Sequence, residues 1–257
     1  MSKIHYHVVV VGCGGTGGFF IKEFGRFMMH AFASIQLTLI DGDIVEESNL
    51  ERQCFQKEDI QSNKATILAE ALVSCYGIPD NKITSFPVYL DRARQLRDIL
   101  EHASISRYDQ IEVPIIIGAV DNHAARTVLH EYFMDYMNTG FYYDSANEYA
   151  QGEVVFAGKA DKRILANPRG ILFPHVLEEG KTETKRSERS CSEINVREPQ
   201  HIATNMLAAN LLLSKVCQVI TGEDIRLGVA FFHAFQCEVH FYEAKRLEEE
   251  SDDQTDA

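Results

Sequence analysis

Val8-Val9-Val10-Val11 is apolar at every position, the mark of a strand buried on both faces rather than a half-exposed one. Phe20, Phe24, Phe27, Met28 and Ala31 then recur at helical spacing and predict a helix over about 16–32, followed by a strand over about 36–40. Leu68, Ala71, Leu72, Cys75 and Tyr76 mark a second helix, capped by Ser62 and closed by Gly77. A third strand is expected over 82–88, a short helix over 91–102, and a buried strand over 113–120 with Pro114 near its start, where proline is tolerated. Ala125, Val128, Leu129, Tyr132, Phe133 and Tyr136 give the next helical face, and two short strand-like pieces lie between Phe141 and Phe156. Strands alternating with helices imply an α/β fold whose mostly parallel sheet is covered on both sides.

From 158 to 190 the periodicity fails, and a stretch of that length is expected to be a mobile connection. A long helix over 199–221 follows, with Ile202, Met206, Ala209, Leu213, Val216, Cys217 and Ile220 inward and Gly222 at its end. Segments 226–234 and 236–242 read as a hairpin, an antiparallel C-terminal extension of the sheet. The organisation is thus one domain over 1–245 and an acidic, disordered tail over 246–257.

Composition narrows the partners. A chain of 257 residues, 45% hydrophobic, can bury a full core, while a formal charge of -13 disfavours a groove that tracks nucleic-acid phosphates. No apolar run reaches the roughly 18 to 20 residues of a spanning helix, and the start has no signal-peptide pattern, so neither nucleic acid nor membrane is expected and a cytoplasmic location is. The six cysteines have no close pairs, which argues for reduced thiols and against a zinc ribbon. His5 and His7 alternate on the first strand and read as a polar edge, with no third metal ligand.

Candidate chemistry begins at Gly12-Cys13-Gly14-Gly15-Thr16-Gly17-Gly18, between the first strand and first helix. Backbone N–H groups there, with the helix N-terminus behind them, suit phosphate, and Asp41 at the end of the second strand suits ribose hydroxyls. A nicotinamide dehydrogenase would use the same turn, and a purely steric role for the glycines is the plainer alternative.

The string after Asp41 separates these readings. Asp41-Gly42-Asp43, Ser48-Asn49-Leu50-Glu51-Arg52-Gln53, Lys64 on a helix, and Asp121-Asn122 with Arg126, following a GxGGxG turn, resemble in order the motifs of the ThiF/MoeB superfamily of ubiquitin-activating-like adenylyltransferases. Asn49-x-x-Arg52-Gln53-x-Phe55 and Ser190-Cys191-Ser192 are similar to the single-domain ThiF-like proteins of plasmid and conflict operons, including the PRTRC type. The resemblance implies a Rossmann-like domain, ATP and Mg²⁺ as cofactors, a homodimer, and a small β-grasp ubiquitin-like or sulfur-carrier protein whose C-terminal carboxylate becomes an acyl-adenylate. It implies that Gly12, Gly14, Gly15, Gly17, Asp41, Asp43, Asn49, Gln53, Lys64, Asp121 and Asn122 bind nucleotide, that Asp121 holds Mg²⁺, and that Arg52, Lys64, Asp121 and Cys191 are catalytic. In some members a cysteine at the place of Cys191 captures the acyl group.

The chemistry fits those residue types. Arg52 offers a planar fork for phosphate and Lys64 a point charge, while Mg²⁺ favours one or two carboxylates beside phosphate oxygens. Asp121-Asn122 could equally cap a helix, Arg126 could be a structural partner, and the remaining cysteines read as packing residues, Cys75 and Cys217 on apolar helix faces. Two departures stand out: the arginine many members donate from a helix before the first strand, for which Arg26 is the available substitute, and the absent zinc motif. The competing functions are adenylation of a peptide, tRNA or small acid, and a non-catalytic nucleotide-binding adaptor.

Overall fold

The computed structural model describes residues 3–183 and 200–244. Strand β1 (Lys3–Val11) lies inside the sheet, and its Val8–Val11 run has no polar face to give to water: Val8 and Val10 pack into one core cluster, Val9 and Val11 into another on the opposite side. Helix α1 (Gly15–His30) leads into β2 (Ser34–Ile40), α2 (Lys64–Tyr76) into β3 (Ile83–Phe86), and α3 (Ala93–Ala103) into β4 (Gln110–Gly118). Helix α4 (His123–Glu131) precedes β5 (Gly140–Asn147), which runs antiparallel to β6 (Gln151–Ala160). Short pieces follow: β7 (Arg163–Ala166), α5 (Arg169–Leu172) and α6 (His175–Thr182). The described chain closes with α7 (Ile202–Thr221), β8 (Gly228–His233) and β9 (Glu238–Glu243).

Among the described residues the sheet has nine strands, in the order β3-β2-β1-β4-β5-β6-β8-β9 with β7 beside β6. The first five are parallel and the rest antiparallel, the Rossmann-like α/β architecture with an antiparallel extension. Helices α1, α2 and α7 cover one face, and α3 and α4 the other.

Several expectations are corrected. As far as the described residues reach, the stretch expected to be a connection over 158–190 has regular structure: β6 continues to Ala160, and β7, α5 and α6 carry the chain to Thr182. Pro168 and Pro174 start two helices of 4 and 8 residues, too short to show a period. Helix α2 is capped by Asn63 rather than Ser62, the Asn63 side chain accepting from Thr66 N–H. Pro114 is the fifth residue of β4, and β5 joins β4 only from Ile115 onward. Cys75 is exposed. On α7 the inward face is Thr204, Asn205, Ala208, Ala209, Leu212, Val216, Val219 and Ile220, leaving Ile202 and Met206 exposed. Two buried polar residues turn that helix away from the orientation its apolar residues suggest. Helix α7 is also long and apolar enough to cross a bilayer by length and composition, and here it packs on α1 and the sheet.

The histidines of β1 are not an edge. His5 and His7 are buried between neighbouring strands: His5 Nδ1 lies 2.8 Å from Ser34 Oγ, His7 Nε2 lies 2.8 Å from Thr38 Oγ1, and His7 Nδ1 lies 3.2 Å from Glu112 Oε1. Ser104 Oγ donates to the other Glu112 oxygen. Burial pushes the Glu112 carboxyl up, but hydrogen bonds from His7, Ser104 and Ser106 win and hold it down at about 2. Beyond α4, a π-helical turn at Tyr132–Tyr136 ends on a buried cation: Lys159 Nζ donates to the carbonyls of Phe133 (2.6 Å), Met134 (2.8 Å) and Met137 (3.4 Å).

Candidate functional site

The parallel strands change winding direction between β1 and β4, and the crevice outside their carboxyl ends is where such sheets take ligands. The glycine turn forms one wall. Gly12 has φ +92°, and a Cβ there would stand 2.4 Å from the Ala119 carbonyl oxygen, so only glycine lets the turn meet the loop after β4. A Cβ on Gly17 would stand 1.9 Å from the Gly12 carbonyl oxygen. Gly14 occupies the N-cap of α1 and Gly15 its first turn, with the Gln53 side chain over Gly14 and the Asn205 side chain against Gly15. Gln53 Oε1 is buried with no hydrogen-bond partner among the described residues.

Asp41 lies behind the turn, Oδ2 accepting from Cys13 N–H (2.6 Å) and Oδ1 from Asp43 N–H (2.8 Å). Burial, then the Asp43 charge, raise its carboxyl to about 6 against the pull of Lys64 and the two N–H groups. Burial together with Asp41 also pushes the Cys13 thiol up, and burial puts Cys54 at about 11. Neither is an activated thiolate.

Lys64, at the first position of α2, is buried and places Nζ 3.1 Å from Asp43 Oδ2, and its own N–H donates to the Asp43 carbonyl. Asn63 ties the segment to the sheet by donating from Nδ2 to the carbonyls of Asp41 and Asp43. The Tyr89 hydroxyl donates to Asp43 Oδ1 at 2.7 Å. Asn49 is buried at the end of a 3-10 turn, its Oδ1 accepting from Glu46 N–H and its carbonyl from the N–H groups of Arg52 and Gln53. Arg52 is half-buried, and its guanidinium makes no hydrogen bond or ion pair with the described residues.

On the opposite wall Asp121 is exposed, three residues past the end of β4. Asn122 caps α4, accepting from Ala125 N–H (2.8 Å) and donating to Asp121 Oδ1 (3.4 Å). Glu183 accepts from the N–H groups of His123 and Ala124 at the same helix start. Arg126 is structural: it donates to the carbonyls of Val120 (2.7 Å) and Ser145 (3.2 Å), and its Nε lies 3.6 Å from Asp144 Oδ1. Arg169 Nε donates to the other Asp144 oxygen (2.9 Å), making a buried Arg-Asp-Arg cluster beneath the 119–122 loop.

Gly12, Gly14, Gly15, Gly17, Asp41, Asp43, Asn49, Gln53 and Lys64 therefore gather on the β1–β2 side, and Asp121 and Asn122 stand across the switch point. Arg26 does not reach this crevice. It pairs with Glu23 on the solvent side of α1, eleven residues or roughly 16 Å of helix from the turn. Cys191, like the tail, lies outside the described residues. Sequence reasoning missed Tyr89, Arg169 and a buried cluster in which Asn147 Nδ2 donates to Thr16 Oγ1 and Thr16 to Asn205 Oδ1. No local spacing marks these, because each meets its partner across the fold.

The donor set suits a nucleotide with its metal. No group of three or more His, Cys, Asp or Glu among the described residues could hold an ion unaided. Asp121, an exposed carboxylate on the loop after β4, could hold Mg²⁺ only together with water and ligand oxygens, which that ion keeps in its shell.

The sequence profile of the ThiF family matches residues 3–254. Over 121 residues the chain is 30% identical to ubiquitin-like modifier-activating enzyme 7 of Mus musculus, a match covering 47% of this chain and 12% of that one. Among solved structures, E. coli MccB with ATP superposes with a TM-score of 0.65 at 17% identity, covering 93% of this chain and 64% of that one. PaaA gives 0.62 at 18% identity, covering 93% and 72%. These structures share the fold described above, and with nearly the whole chain matched by one family's profile, the protein belongs to the ThiF family.

Proposed function

We propose that the chain is an ATP- and Mg²⁺-dependent adenylyltransferase that activates the C-terminal carboxylate of a small ubiquitin-like or sulfur-carrier protein. What supports this is the glycine turn, Lys64 buried on Asp43, Arg52 with no partner among the described residues and the exposed Asp121 carboxylate, all on segments that follow the carboxyl ends of β1, β2 and β4. Positive groups gathered at a phosphate cradle serve a reaction that builds charge on a leaving pyrophosphate. Family membership, the similarity to a ubiquitin-like modifier-activating enzyme, and the fold shared with MccB bound to ATP all support the reading.

In this mechanism the turn's N–H groups and Gln53 seat the phosphates, and Asp41 receives ribose hydroxyls. A carboxylate oxygen attacks the α-phosphorus, the bond to the bridging oxygen breaks, and acyl-adenylate and pyrophosphate result. Arg52 and Lys64 stabilise the charge passing to pyrophosphate. Asp121 would hold Mg²⁺, which when bound with ATP neutralises phosphate oxygens. Transfer of the acyl group to Cys191, its thiolate attacking the acyl-adenylate carbonyl to form a thioester as the acyl–phosphate bond breaks and AMP leaves, and a homodimeric assembly belong to the same proposal.

The test is ATP–pyrophosphate exchange with Mg²⁺ and candidate carriers ending in Gly-Gly. Exchange that needs the carrier and disappears in Arg52→Ala and Asp121→Ala is the expected result. Silence across carriers, with ATP binding indifferent to Asp121→Ala, would overturn it. Exchange supported by a short peptide such as MccA but by no carrier would move the acceptor to the peptide class, as the MccB–MccA structures suggest.

A further inference from the structure

Tyr89 lies in the loop between β3 and α3, outside every motif of the sequence, yet it touches the nucleotide wall twice. Its hydroxyl donates to Asp43 Oδ1 at 2.7 Å, while Lys64 Nζ holds Oδ2 of the same carboxylate at 3.1 Å. Its ring lies against Gly42, where a Cβ would come within 2.6 to 2.7 Å of three ring carbons. Any other residue at 42 would push the ring off the segment that joins Asp41 to Asp43. The loop is itself pinned, Gln95 Nε2 donating to the Tyr89 carbonyl and Asp91 N–H to Gln95 Oε1.

We propose that Tyr89 is a positioning residue for the nucleotide, acting through Asp43 on Lys64 with its hydroxyl and walling the Asp41 side of the site with its ring. The proposal rests on the ATP-site reading above. A carboxylate gripped at both oxygens cannot turn about its Cβ–Cγ bond, so the ammonium it holds stays in one place. Lysine offers three donors. With one fixed on Asp43, the others have a defined direction toward phosphate. Two donors on Asp43 also offset a negative charge that would otherwise repel the triphosphate.

Hydroxyl and ring separate experimentally. Binding of Mg·ATP and of adenosine is measured by titration calorimetry for the wild type, Tyr89→Phe and Tyr89→Leu. Tyr89→Phe keeps the wall and loses the grip: adenosine affinity stays within about twofold while Mg·ATP weakens about tenfold, the scale of one hydrogen bond to a charged group. Tyr89→Leu weakens both ligands. In an Asp43→Asn background the Tyr89→Phe effect shrinks below about twofold, because the two residues act through one contact. Unchanged ATP binding in Tyr89→Phe, equal losses for ATP and adenosine, or full additivity with Asp43→Asn would each overturn the proposal. A wild type that binds no ATP would instead overturn the ATP-site reading, and this proposal with it.

Discussion

Replacing Glu112 with glutamine removes one charge from the buried network at the amino ends of β1 and β4 and changes little in shape. The carboxyl sits at about 2 in the folded protein and near 4.5 unfolded, a difference of about 2.5 units, or about 3 kcal/mol at 1.36 kcal/mol per unit. The side chain is 25% exposed, so solvent screening brings the expected contribution to about 2 kcal/mol. The sign follows from a depressed pKa: the stabilisation is fully present above about pH 4.5 and is lost as pH falls through about 2. With a urea slope on the order of 2 to 3 kcal/mol/M for a chain of this size, Glu112→Gln should lower the midpoint by somewhat under 1 M at pH 7. The two proteins should converge near pH 2. Glu112 precedes the end of β4 by six residues, roughly 20 Å of strand from the nucleotide turn, so ATP affinity should not change. Equal midpoints at pH 7, or a gap that persists at pH 2, would refute the account of the network.

Gly17→Ala puts a methyl group 1.9 Å from the Gly12 carbonyl, which the turn cannot absorb without moving; ATP binding should fall below detection by calorimetry and the melting temperature should drop by several degrees. Lys159→Met removes the donor from the carbonyls of Phe133 and Met134 in the π-helical turn and of Met137 just past it. A loss of about 2 to 3 kcal/mol in urea melts is expected, with ATP affinity retained.

The parallel half of the fold was legible because apolar strands and amphipathic helices there alternate with plain periods, and the glycine turn, Asp41 and Lys64 belong to one continuous stretch of chain. What escaped was set by long-range pairing. His5 and His7 look like edge residues until Thr38 and Glu112 arrive from neighbouring strands. Arg169 and Asn205 meet their partners, Asp144 and Thr16, only across the fold. Tyr89 reaches Asp43 from 46 positions away, a relation that no periodicity encodes. Helices α5 and α6 were invisible for a different reason, being shorter than the window in which a helical period can show.

The Arg126–Asp144–Arg169 cluster bears on how divisible the protein is. All the residues proposed to hold the nucleotide lie before residue 127, which invites treating that stretch as a cassette to excise, split or graft. Arg126 would then keep its place under the 119–122 loop while losing Asp144 on β5. The cut also removes the Ser145 carbonyl, so the guanidinium that donates to Val120 and anchors the loop loses its counter-ion and one of its acceptors together. A transplantable unit must extend at least through α5, so that the loop bearing Asp121 travels with the ion cluster that holds it up.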